Sequence, residues 1–125
     1  MTEFATVLHC IDGRFQLPVF HYLQERFGVP YIDVITEAGM VRHIASPGEN
    51  PVKSATFESL RISIDRHDSA QVALVAHEDC AGNPKPREEQ EKELRQGLKE
   101  LERHFPDMER VALWCSLSGE VVEVG

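Results

Sequence analysis

The chain has 125 residues, 42% of them hydrophobic and 27% charged, which is the make-up of a single globular domain spanning 1–125. No apolar run approaches the ~18 residues that cross a bilayer, so no membrane partner is expected. Lys and Arg number 13 against 21 Asp and Glu, a net charge of −8, and no basic cluster occurs, so nucleic acid is not an expected partner either.

The N-terminus, Met1-Thr2-Glu3-Phe4, has no cationic segment ahead of an apolar one, and the expected location is the cytoplasm. In that reducing compartment Cys10, Cys80 and Cys115 are ligands, nucleophiles or core residues rather than disulfide partners. Phe4 to Cys10 is a short, mostly apolar run closing at Asp12-Gly13, a first buried strand. Leu17, Phe20, Leu23 and Phe27 recur with helical spacing, and Gly28 with Pro30 supplies the stop. Tyr31 to Ile35 is a β-branched second strand, followed from Thr36 to Pro51 by a long connection rich in Gly and Pro.

Pro51 to His67 fits a helix face through Phe57, Leu60 and Ile64, while Leu60, Ile62 and Ile64 also alternate as in a strand. Helix is the choice, because the next run, Gln71 to His77, is a near-continuous apolar strand of the parallel kind, and such strands are joined by helical crossovers. Within the preceding connection, Gly48 to Ser54 resembles a phosphate loop only superficially and reads as a turn into this helix. Asn83-Pro84 opens a further helix with an acidic first turn and Leu94, Leu98, Leu101 and Phe105 on one face. Val111 to Cys115 is a fourth strand in which Cys115 packs in the core, and Val121 to Val124 is a candidate short edge strand. The order implies a three-layer αβα fold whose mainly parallel sheet has four strands in the order 2-1-3-4. Strands one and three then flank the switch-point crevice at their carboxyl ends, where open α/β sheets bind ligands.

The first strand ends in Cys10-Ile-Asp12-Gly-Arg14 and the third in His77-Glu-Asp-Cys80. Two thiolates and an imidazole from Cys10, His77 and Cys80 make a set for zinc (Zn2+) with one tetrahedral position open, as in catalytic sites. Asp12 is the candidate to orient a bound hydroxide by accepting its proton in a hydrogen bond, and Arg14 pins that carboxylate and keeps it ionised. Of the remaining histidines, His9, His21, His43, His67 and His104, most are expected at the surface or at caps. His43, in the long connection, is the candidate proton shuttle.

The pairing of Cys10-x-Asp12-x-Arg14 with His77-x-x-Cys80 resembles the β-class carbonic anhydrases, and Glu37-Ala38-Gly39 is similar to the Asn-Ala-Gly segment lining the site in that family. The resemblance implies reversible hydration of carbon dioxide to bicarbonate by a zinc-bound hydroxide, with Cys10, His77 and Cys80 as ligands and Asp12 with Arg14 as the dyad. It also implies, by analogy, a homodimer or higher homo-oligomer. The chain departs from the family in three places: only nine residues precede Cys10, where relatives carry a helical arm; Ala81 separates Cys80 from Gly82; and Glu37 replaces the Asn. Alternatives carried with this reading are a catalytically silent zinc-binding homologue with a structural or regulatory role, and a hydrolase of carbonyl sulfide or carbon disulfide. A closed state in which Asp12 itself binds zinc is a further alternative.

Overall fold

Short β-branched runs build the sheet of this protein, and longer amphipathic segments cover it. The computed structural model describes residues 2–125. In chain order the elements are β1 (Phe4–His9), a 3-10 turn (Gly13–Phe15), α1 (Gln16–Phe27), β2 (Tyr31–Thr36), α2 (Met40–Ala45), α3 (Pro51–His67), β3 (Gln71–His77), α4 (Arg87–His104), β4 (Glu109–Cys115) and β5 (Val121–Glu123). The sheet runs β2-β1-β3-β4-β5, with the first four strands parallel and β5 antiparallel to β4. The expected 2-1-3-4 order is present, and the candidate edge strand forms. β1 and β3 are in register from Thr6 opposite Val72 to Leu8 opposite Leu74, which brings their carboxyl ends side by side. The chain leaves them toward opposite edges of the sheet, and the crevice between those ends is where a site can form.

Both faces are covered, which is why β3 reads as an almost unbroken apolar run. On one face Ala73 and Val75 join Val7 and Leu113 against the α1 stripe of Val19, Leu23 and Phe27. On the other, Val72, Leu74 and Trp114 pack against residues of α2, α3 and α4 such as Ile44, Leu60, Leu94 and Leu101. Pro51 to His67 is helical as expected: Leu60 is fully buried while Ile62, two positions on, is 56% exposed. Asn50 caps α3 by accepting from Lys53 N–H, with Pro51 in the first turn, so Gly48 to Ser54 is a helix start as expected. Lys53 is buried against Glu100 of α4 and donates also to the Ser46 and Gly48 carbonyls, fastening the α2–α3 connection to α4.

Three local expectations need correction. The connection from Thr36 to Pro51 contains α2, whose six residues bury Met40, Val41, Ile44 and Ala45 between the breakers Gly39 and Pro47. α4 begins at Arg87 rather than at Asn83-Pro84, because Lys85 N–H turns back to the Asn83 carbonyl across Pro84 and Pro86 at the cap is extended. In α1 the buried stripe runs through Val19, Leu23 and Phe27, and Leu17 is 65% exposed. The helix does end at Gly28, whose left-handed conformation returns its N–H to the Gln24 carbonyl.

Candidate metal centre

Cys10 follows β1, His77 ends β3, and Cys80 lies in the turn after it, so the β1–β3 pairing carries all three to one point. The two sulfurs are 3.8 Å apart, and the three donor atoms lie within 4.8 Å of one another. All three residues are buried, and among the described residues no other cluster of this kind occurs. His77 Nδ1 is 2.7 Å from the Glu78 carbonyl, so it carries the proton and donates, which leaves the Nε2 lone pair available. That Nε2 is buried without any partner. The ring itself is held by stacking on Phe15, with centroids 4.1 Å apart. A tetrahedral zinc with Zn–S bonds of about 2.3 Å needs its two sulfurs about 3.8 Å apart. The donor set fits zinc in type, spacing and orientation.

The backbone around the sulfurs is shaped for them. Burial and the neighbouring Cys10 push the Cys80 thiol up, while the N–H groups of Gly82 and Asn83 favour its thiolate. Gly39 N–H approaches Cys10 Sγ at 3.5 Å. Gly39 and Gly82 pack backbone against backbone: a β carbon on Gly39 would sit 2.5 Å from the Gly82 carbonyl oxygen. The glycine displaced by Ala81 therefore still serves a close approach, one residue later than the family pattern. Asn83 N–H donates to the Cys80 carbonyl, and its side-chain amide donates to Glu93 on α4, which Lys85 also meets at 2.7 Å. Sequence reasoning missed Asn83, Glu93 and Gly82, whose roles depend on contacts between distant segments.

Asp12 and Arg14 form the expected pair. Arg14 Nη2 donates to Asp12 Oδ2 at 2.7 Å and Nε to Oδ1 at 3.1 Å, with Arg14 backbone N–H on Oδ1 at 3.0 Å. The guanidinium holds the Asp12 carboxyl down to about 2, so it is ionised throughout the physiological range. The carboxylate is turned to Arg14 and is not one of the clustered donor atoms. Arg14 also reaches Asp79 through its carboxylate and carbonyl, a contact the sequence did not signal. Glu37 N–H donates to the His9 carbonyl, which fixes the segment leading to Gly39. His43 is half-buried on α2; burial and Arg42 hold its pKa down, and Glu37 opposes them. Cys115 is fully buried outside the cluster, its thiol pushed up to about 11 by burial, in keeping with a core role. His21, His67 and His104 are exposed as expected, whereas His9 is buried on the α1 side of β1.

Residues 1–125 match the protein family described as "Putative carbonic anhydrase". The chain belongs to this carbonic anhydrase family. A divergent member, it matches no curated protein. Its fold is that of solved carbonic anhydrases at low identity. The enzyme from Streptococcus mutans is 15% identical with a TM-score of 0.66, the match covering 99% of this chain and 82% of that one. The carbonic anhydrase from Glaciozyma antarctica gives the same 15% identity, TM-score of 0.66 and coverage of 99% and 82%. One of two tetrameric β-carbonic anhydrases from Sordaria macrospora is 12% identical with a TM-score of 0.66, over 100% of this chain and 82% of that chain.

Proposed function

We propose that this family member is of the β class and catalyses the zinc-dependent, reversible hydration of carbon dioxide to bicarbonate. The observation that carries the reading is the buried Cys10–His77–Cys80 donor set with its unpartnered imidazole nitrogen, beside an ionised Asp12 held by Arg14. Zinc held by these three residues would supply a Lewis acid that brings the pKa of water in its open position toward neutrality.

Asp12 accepts a hydrogen bond from the attacking water and so aims the water's remaining lone pair at the carbon of the substrate. Arg14 keeps Asp12 ionised and turned to its own guanidinium, so that Cys10, His77 and Cys80 alone would hold the metal. The His77 Nδ1–H bond to Glu78 fixes the tautomer that presents Nε2. The proton released by each hydration leaves by way of His43, which lies six residues after Glu37 and titrates below the usual histidine range. The protein acts as a homo-oligomer; the Sordaria macrospora enzymes are tetrameric, and the edge strand β2 exposes Tyr31 and Val34 here.

A stopped-flow pH-indicator assay on zinc-loaded protein tests the reading. Hydration above the buffer rate is expected. One zinc per chain with no acceleration would replace the enzyme by a silent zinc-binding homologue, and turnover of carbonyl sulfide with sulfide release but no hydration would reassign the substrate.

A further inference from the structure

Arg14 and Phe15 of the 3-10 turn and Gln16, the first residue of α1, each hold one part of the metal centre. Arg14 fixes the Asp12 carboxylate, and Phe15 stacks on the His77 ring. Gln16 holds the backbone that carries Cys10 and Asp12. Its side-chain nitrogen donates one N–H to the Cys10 carbonyl at 3.0 Å and the other to the Asp12 carbonyl at 3.1 Å. Both acceptors are carbonyls, so only the nitrogen of the amide can face them. β1 ends at His9, whose carbonyl takes the Glu37 N–H, and its register with β3 ends earlier, at Leu8 opposite Leu74. Cys10 and Asp12 lie beyond both pairings, and the Gln16 amide takes the place of a strand beside them. The helix it belongs to is anchored in the core by Val19, Leu23 and Phe27.

We propose that Gln16 is a positioning residue for the hydration reaction: by gathering the Cys10 and Asp12 carbonyls on one nitrogen, it sets where the Asp12 carboxylate stands relative to the three donor atoms. The inference rests on the function proposed above. Two carbonyls two residues apart meet one amide only if the segment between them is bent, and the intervening Ile11, 62% exposed, adds little packing to hold that bend. Arg14 aims the carboxylate but sits in the same turn, and its tie across the crevice is to Asp79, whose side chain is 70% exposed. Gln16 is what refers the turn to the core, through α1. The donors themselves have other supports, since Gly39 N–H meets Cys10 Sγ and Phe15 holds the His77 ring. Loss of the Gln16 amide therefore frees Asp12 while the donor set stays assembled.

Gln16→Met keeps an unbranched side chain of similar length and removes both N–H donors. It should hold one zinc per chain while kcat for hydration falls about ten- to a hundredfold with KM little changed, because Asp12 acts on the water and not on carbon dioxide binding. In an Asp12→Asn background the same replacement should cost less than about threefold, since the carboxylate it places is gone. An equal loss in the two backgrounds would show a purely structural role and overturn the proposal. Two further readouts need no turnover. In cobalt-loaded protein, Gln16→Met should change the pseudocontact shift of the ¹³C-labelled Asp12 carboxyl carbon and leave that of the Val19 amide where it was; an unchanged Asp12 shift would overturn the proposal. In the wild-type protein, couplings across the hydrogen bonds from the Gln16 side-chain amide to the Cys10 and Asp12 carbonyl carbons should be present, and their absence would overturn it even if the variant fails to fold. Absence of hydration in the wild type would count against the proposed reaction alone, because the cobalt shift and the couplings judge Gln16 without it.

Discussion

Replacing Gly82 by alanine probes how the two halves of the metal centre are held together. A β carbon at position 82 would lie 2.7 Å from both Ala38 C and Gly39 N, and ordinary contact begins at 3.4 Å, so the two backbones must part by about 0.7 Å. Both atoms are backbone and cannot step aside as a flexible side chain would. One of those segments carries the N–H that meets Cys10 Sγ, and the other begins two residues after Cys80, so the opening is passed to the 3.8 Å sulfur separation. A zinc site tolerates about 0.2 Å in its ligand distances. Gly82→Ala should therefore weaken zinc binding by about ten- to a hundredfold. Overpacking of this kind costs about 1–3 kcal/mol, or roughly 4–12 °C in Tm for a domain of this size. Competition with a chromophoric chelator reads the affinity, and a thermal melt in excess chelator reads the metal-free fold. Gly39→Ala should be worse in both, since Gly39 has a φ of +63° and an added β carbon there meets the Gly82 carbonyl oxygen at 2.5 Å. Wild-type zinc affinity in Gly82→Ala would refute the claim that this close approach sets the sulfur spacing.

Asp12→Asn should keep one zinc per chain while hydration falls at least about a hundredfold, measured by stopped flow and metal analysis; parallel loss of zinc would make Asp12 a ligand. The folded pKa of Asp12, about 2, lies below its ordinary 3.8, so its contribution to stability is present above about pH 4 and is lost as the pH falls through 2. Any acid limb in the hydration profile above pH 4 should accordingly persist in Asp12→Asn. Because burial raises the Cys80 thiol, zinc must displace its proton, and affinity should rise about tenfold per pH unit for each proton displaced between about pH 6 and 8. A flat affinity over that range, by chelator competition, would show thiolates already formed. Lys53→Met leaves Glu100 buried with only Arg103 for company and should cost about 3 kcal/mol in urea unfolding, most of it recovered when Glu100→Leu is added.

The strand order and the three donors were legible because each depends on a local run: Gln71 to His77 is apolar throughout, and Cys10 and His77 stand where such runs end. α2 was not, since the six residues Met40–Ala45 are too few for a helical period to emerge from the flanking breakers Gly39 and Pro47. Leu17 fits the helical spacing of α1 yet faces a cleft, because periodicity gives a stripe but not the width of the sheet beneath it. The meeting of Gly39 with Gly82, the Asn83–Glu93 bond and the reach of Arg14 to Asp79 are tertiary, and no spacing along the chain encodes them. His9 looked like any surface histidine until strand pairing turned it inward.

X-ray absorption at the zinc edge of anaerobically loaded protein tests the metal centre most directly. Two sulfurs at about 2.3 Å, one imidazole nitrogen at about 2.0 Å and one further light donor are expected, with one sulfur lost in Cys80→Ser. A spectrum without two sulfurs, or a loaded sample that retains no zinc, would contradict it.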